Sequence, residues 1–221
     1  MKTKKSLFAI LALISAVMLF LPVSAAFGQS TLRIVPGTDL AKLLKSGPTI
    51  VSSEVDSTSD DWTKCVTDVH WVTTASIEKV AAVLDDLKNQ PNVFKGSITS
   101  TAKVVIDSVT PEGTTVTTTT KTSLGPINDE TTYTTLITKQ DNLPKYFSRI
   151  IKQIGENNKI RKVSSTWYIE TVTVDGKPCT YIRFYDNNEV NQNGLKRIAI
   201  KGGIKGAHQD TLKQLVKAAS G

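Results

Sequence analysis

The chain has 221 residues and a formal charge of +7, from 27 Lys and Arg against 20 Asp and Glu. A charged fraction of 21% and a hydrophobic fraction of 39% exclude a disordered chain and a multi-pass membrane protein. The small positive surplus gives no ground for a nucleic-acid partner. Met1-Lys2-Thr3-Lys4-Lys5 is basic, Ser6 to Leu21 is almost wholly apolar, and Val23-Ser24-Ala25 and Ala26-Phe27-Gly28 offer small-residue cleavage sites. Residues 1–28 therefore read as a secretory signal peptide. The alternative is an uncleaved anchor, since the apolar stretch approaches the ~20 residues that span a bilayer. No cysteine follows directly, which argues against a lipoprotein anchor. Without Lys2, Lys4 and Lys5, 24 basic residues face 20 acids over about 193 residues, enough for one domain with a real core. Export to the periplasm or the outside makes cytosolic nucleotides poor guesses, and no cofactor is expected.

Residues 29–37 read as an irregular arm. Thr38 to Ser46 places Leu40, Leu43 and Leu44 on one helical face, with Gly47 as a stop. Thr49 to Val55 is a strand candidate, Asp56 to Asp61 a polar turn, and Trp62 to Thr73 a β-branched, aromatic strand. Ser76 to Lys88 is an amphipathic helix with Ile77, Val80, Ala81, Leu84 and Leu87 inward, ended by Asn89-Gln90-Pro91. Thr74 or Ser76 can cap it, and Glu78 suits its first turn. Threonine-rich strands follow at Ile98 to Thr110, Thr114 to Leu124 and Glu130 to Thr138. Leu143 to Ile154 shows helical spacing of Phe147, Ile150, Ile151 and Ile154.

Arg161 to Val174 and Pro178 to Val190 form the clearest pair, joined by the hairpin signal Asp175-Gly176. A two-residue turn pairs Val174 with Lys177, Ile169 with Ile182 and Trp167 with Phe184. Opposed residues share a face. One face is then apolar, and the other carries Tyr168, Glu170, Tyr181, Arg183 and Tyr185, an outward stripe expected to form an Arg–Glu surface cluster, with a partner surface as the alternative. The apolar face needs a cover. Leu195 to Ala219 supplies one as a long helix, with Ile200, Ile204, Ala207, Leu212, Leu215 and Ala219 inward. Gly202, Gly203 and Gly206 are costly there, each by ~1 kcal/mol. They leave readings open: room for a ligand or a compliant lid, close helix-on-sheet packing, or a helix that begins later.

This order of elements resembles the helix-grip fold of the SRPBCC or START-like superfamily, which includes lipid-transfer, polyketide cyclase/dehydrase-like and Bet v 1-like proteins. Three stretches carry the resemblance: Val72 to Asp86, Ser165-Thr166-Trp167-Tyr168 with Gly176 to Phe184, and the terminal helix. Val83 stands where relatives often have an aromatic, and Asn191-Gln192-Asn193-Gly194 replaces a frequent proline-glycine turn. The resemblance implies an α+β domain over residues 38–221, a curved antiparallel sheet wrapped around the C-terminal helix. It implies a cavity for a hydrophobic or amphipathic small molecule such as a lipid, with only transient membrane contact. Trp167, Ile169, Ile182 and Phe184 would line the sheet side, and Ile204 and Leu215 the helix side. In such a sheet Cys65 and Cys179 would sit roughly 26 Å apart along the strands, too far for a disulfide.

Little other chemistry stands out. His70 sits on a strand and reads as a satisfied sheet residue. His208 lies beside the inner stripe of the last helix, either facing the cavity or on its flank. Two distant histidines and two distant cysteines do not make a zinc site. Asp85-Asp86 reads as a solvated helix end. No G-x-S-x-G elbow or phosphate-binding loop occurs, and Gly203-Ile204-Lys205-Gly206 is too short a match to suggest RNA. The leading expectation is a non-enzymatic binding module. The alternatives are a cyclase- or dehydratase-like enzyme using His208 or Tyr133, and an envelope protein acting through its surface.

Overall fold

The structure, a computed structural model, describes residues 32–59, 61–155 and 157–221. The signal peptide expected over residues 1–28, and the first residues of the arm, lie outside the described residues. In chain order the elements are α1 (Leu40–Ser46), β1 (Thr49–Ser59), β2 (Trp62–Thr73), α2 (Ile77–Asp85), a 3-10 turn (Leu87–Asn89) and α3 (Gln90–Val93). There follow β3 (Thr99–Thr110), β4 (Gly113–Leu124), β5 (Ile127–Asn142), β6 (Tyr146–Gln153), β7 (Ile160–Val174), β8 (Lys177–Asn191) and α4 (Gly194–Ser220). The strands make one eight-stranded antiparallel sheet in the order β1-β2-β8-β7-β6-β5-β4-β3.

This sheet has to curl. Helix α4 touches β1 and β2 near one edge and β4 near the other. Those strands would stand roughly 25–30 Å apart in a flat sheet, and a helix is only about 10–12 Å wide. Register shifts in β1, β3 and β7 mark bulges, which bend a strand and raise its twist. The result is the helix-grip α+β architecture, a curved sheet around the last helix.

The main core fills the concave side at one end. Val80 and Leu84 of α2, Phe147, Ile169 and Ile182 of the sheet, and Leu212 and Leu215 of α4 are all within 5% of complete burial. Ser76 caps α2 by accepting from the Lys79 amide. The helix ends at Asp85, and Pro91 then sits in the first turn of α3, where its missing N–H costs nothing.

Four expectations change. First, Leu143 to Ile154 is not a helix: Tyr146–Gln153 is strand β6, paired with both β5 and β7. Phe147 and Ile151 point to the concave core, and the β-branched residues suit a strand buried on both faces. Second, Asp56 to Asp61 is not all turn, because β1 runs on to Ser59 opposite Trp62. Third, the second face of β7 and β8 is not an outward stripe. Tyr168 and Tyr181 are 1% and 0% exposed, covered by Leu43 of α1 with Leu32, Ile34 and Leu40. Arg183 pairs there with Asp68 rather than a glutamate (2.6 and 3.0 Å) and also donates to the Arg33 carbonyl, tying the arm down. His70 bonds Asp68 and the Tyr181 hydroxyl, a satisfied sheet residue as expected.

The fourth correction concerns Asp85, which is no free helix end. It takes two hydrogen bonds from Arg149, at 2.7 and 2.8 Å, and one contact from Lys139. Arg149 is itself buried and also bound to Asp141. Both cysteines are free and buried. Cys65 pairs with Asn188, nine positions along β8 from Cys179, or roughly 30 Å.

Candidate functional site

The concave side is not filled along its whole length. The C-terminal half of α4 carries Leu212, Leu215, Val216 and Ala219, which close the core. Its N-terminal half turns Ile200, Ile204, Ala207 and Thr211 toward the sheet without closing the space. Between that half and the sheet lies a cavity of about 350 Å³, partly open to solvent. At Gly203 the helix is pressed against the β4–β5 hairpin, where a Cβ would fall 2.5 Å from Leu124 Cδ1. Nothing lies within 4 Å of a Cβ at Gly202. Close packing therefore accounts for Gly203 alone.

The wall is largely apolar. Trp167 and Phe184, directly opposed across β7 and β8, stack with centroids 4.1 Å apart and form the floor. Ile200 and Ile204 contribute from α4, Leu124 and Ile127 from the β4–β5 hairpin, and Phe94 and Ile98 from the segment before β3. The threonine run divides by strand alternation. Thr120 and Thr122 face the cavity, while Thr117 and Thr119 pair their hydroxyls with Thr134 and Thr132 on the other face, at 3.0 and 2.9 Å.

Of the residues expected to line a ligand cavity, Trp167, Phe184, Ile204 and His208 do so. Ile169, Ile182 and Leu215 do not. Each is 0% exposed in the core beside α2, because they lie toward the closed end of the grip. On β8, each step of two residues beyond Ile182 keeps the same face, passing Phe184 and reaching Asp186.

Asp186 is the feature that sequence reasoning missed. It is 3% exposed and lines the cavity. Ser165 Oγ donates to its Oδ1, Asn188 Nδ2 donates to its Oδ2 at 2.7 Å, and His208 Nε2 lies 3.2 Å from Oδ2. The Phe184 ring packs edge-on against the His208 ring. The signal was present as an acid and a serine continuing the apolar stripe in register, since Ser165 opposes Asp186 as Trp167 opposes Phe184.

Tyr133 and Cys65 line the same region. Burial, and after it the negative Asp186, push the Tyr133 phenol up to about 12 and the Cys65 thiol up to about 12. Both stay protonated at neutral pH, so Cys65 is no thiolate nucleophile. The order of contacts also argues against a serine triad. There, histidine stands between serine and acid; here Asp186 stands between Ser165 and His208. Among the described residues no group of three His, Cys, Asp or Glu is placed to hold a metal.

The chain has the SRPBCC or START-like helix-grip fold. Solved structures of this shape include the Zhui aromatase/cyclase from Streptomyces sp. R1128, with TM-score 0.53 and 14% identity, over 71% of this chain and 94% of that one. The STAR-related lipid transfer protein from Xanthomonas axonopodis gives TM-score 0.54 and 10% identity, over 76% and 99% of the two chains. Human StAR-related lipid transfer protein 5 gives TM-score 0.56 and 9% identity, over 77% and 87%. At these identities the likeness is one of fold alone. No protein-family model matches the sequence, and no curated protein matches it.

Proposed function

We propose that this protein is an exported binding protein that holds a hydrophobic or amphipathic small molecule, such as a lipid, between its sheet and the N-terminal half of α4. One observation carries the reading: the helix that fills the core at one end leaves a cavity at the other, where Ile200, Ile204 and Ala207 face a stacked Trp167–Phe184 floor. The volume of about 350 Å³ is in the range of small-molecule sites, and the mix of apolar wall with a few polar groups is typical of them. Two of the similar structures are of lipid transfer proteins, which agrees with this use of the fold. The leader pattern of residues 1–28 supports export. Leu195 and Ile198, 76% and 66% exposed beside Lys196 and Lys201 at the same end of α4, suit a brief membrane contact during loading.

Native mass spectrometry of the protein purified from its own envelope tests the reading. The expected result is a discrete adduct that solvent extraction removes, and that is lost in a folded Trp167→Gln, Phe184→Gln variant. A clean apo mass, with no uptake from a lipid extract, would refute it and favour a protein acting through its surface. The enzyme reading draws on one observation, the Asp186–His208 pair facing the cavity. It requires that bound ligand be converted, and that Asp186→Asn retain the ligand unconverted.

A further inference from the structure

The cavity reading leaves open what the polar end of the ligand is, and the charges on the cavity wall bear on it. Apart from His208, the charged side chains on that wall are Asp129, Lys159 and Asp186. Lys159 is spent on Asp129, at 2.6 Å. The partners of Asp186 are Ser165, Asn188 and His208, none of them a lysine or arginine. A buried carboxylate without a counter-charge is costly. His208 repays that cost only when its ring carries both protons.

The unpartnered atoms beside Asp186 favour the same kind of ligand. Asn188 gives its Nδ2 to Asp186, which leaves its Oδ1, a buried acceptor with no hydrogen-bond partner. His208 turns Nε2 to the carboxylate, so in the neutral ring that nitrogen carries the proton. Nδ1 then holds a lone pair, and it too is buried with no partner. Asp186 Oδ1 accepts from Ser165 and keeps one further lone-pair position. The acceptors without donors thus sit on side chains that are bonded to one another and line the cavity. Hydroxyls on the wall, that of Tyr133 among them, accept as readily as they donate, so they do not tip this balance.

We infer that this end of the cavity takes a cation: the ligand is an apolar molecule ending in a positively charged nitrogen that bears N–H groups, a protonated primary amine in its simplest form, which donates to Asp186 and supplies its counter-charge. The inference rests on the cavity-binding reading and narrows it. An ammonium brings three donors and a positive charge to a site rich in acceptors. Hydrogen bonds between charged groups are about twice as strong as neutral ones. An alcohol brings one donor and no charge. A quaternary ammonium brings the charge and no donor. A carboxylate or phosphate is repelled by Asp186 and finds no free cation on the wall.

The test is calorimetric titration of the purified protein with four ligands sharing one chain: decylamine, decyltrimethylammonium, 1-decanol and decanoate. It is run at pH 8, where simple imidazoles are neutral and alkylamines are still protonated. Decylamine binds tightest, 1-decanol and decyltrimethylammonium are each weaker by about tenfold, and decanoate is weakest. Asp186→Asn lowers decylamine affinity by about tenfold or more and changes decanol affinity by less than about threefold. If that variant fails to fold, the order of the four ligands on the parent protein still decides. Decanol or decyltrimethylammonium binding as tightly as decylamine, or decanoate binding tightest, overturns the cation site and leaves the cavity reading intact. So does a folded Asp186→Asn variant that binds decylamine as the parent does. Should none of the four bind, the cavity reading fails and takes this inference with it.

Discussion

Leu215→Ala and Ile204→Ala locate the point on α4 where core gives way to cavity. Both lie on the inner side of one helix, eleven residues apart in sequence. The periodicity of the chain gives them one role, and the structure gives them two. Leu215 is 0% exposed, in the cluster that includes Val80, Phe147 and Ile182. Truncation there loses the transfer free energy of three carbons and leaves a void, at about 3 kcal/mol. For a domain of this size that lowers the melting temperature by roughly 6–12 °C. Ile204 is half-buried and already borders empty space. Its side chain has few partners to lose, so truncation costs about 1 kcal/mol and enlarges a cavity that exists already. Thermal and urea unfolding of the two variants without ligand measures the difference. Equal costs would refute the reasoning, because the N-terminal half of α4 would then have to pack in solution as tightly as the C-terminal half.

Three further outcomes follow. Burial alone would raise Asp68, but hydrogen bonds and charge from His70 and Arg183 outweigh it and hold its carboxyl below the ordinary 3.8; Asp85 is lowered in the same way by Arg149 and Lys139 against its own burial. A depressed folded value stabilises above the unfolded one and is lost as pH falls, so urea midpoints should drop below about pH 4. Asp68→Asn should flatten that limb, and a wild-type midpoint constant down to about pH 2.5 would sink the assignment. Cys65 and Cys179 should react slowly with a thiol reagent near neutral pH in the native state and fully in denaturant, with no change in melting temperature on adding reductant. Rapid native labelling of Cys65 would contradict its burial and raised thiol. Gly203→Ala should fold within about 1 kcal/mol of the parent, because the atoms its Cβ meets are the movable methyls of Leu124. It should displace Leu124 within the cavity wall and reduce ligand uptake by mass spectrometry; unchanged uptake would show that Leu124 does not bound the occupied space.

The legible parts of the fold were those where local chemistry and tertiary pairing agree. The β7–β8 hairpin is the clearest, since Asp175 and Gly176 both adopt positive φ and pair Val174 with Lys177 as the dipeptide demands. Once that register was fixed, the faces of Trp167 and Phe184 followed. β6 was misread because Phe147, Ile150, Ile151 and Ile154 fit a helical spacing, and a strand covered on both faces has no alternation to betray it. The arm was undervalued for a different reason. Leu32 and Ile34 have no periodic partner in sequence, and their role depends on Tyr168 and Tyr181 more than a hundred residues away. The cavity residues split along the same line: periodicity showed which side of the sheet and helix is inward, but not where along the axis the filling stops.

That stopping point is the strongest reason to connect the cavity with function. Two kinds of residue in this chain work against stability. Glycines at 202, 203 and 206 weaken a helix whose other half is well packed, at ~1 kcal/mol each against alanine. Asp186 buries a carboxylate on an otherwise apolar face and needs Ser165, Asn188 and His208 to hold it there. A threonine or valine at 186 would meet no obstacle from the sheet pattern and would bring the open end closer to the closed one. Departures from local consistency are expected where a protein serves something other than its own stability. Asp186 borders the cavity of about 350 Å³, whose helix side is Ile200, Ile204 and Ala207, so the acid is the departure tied to the site, a polar point in a space for an apolar body.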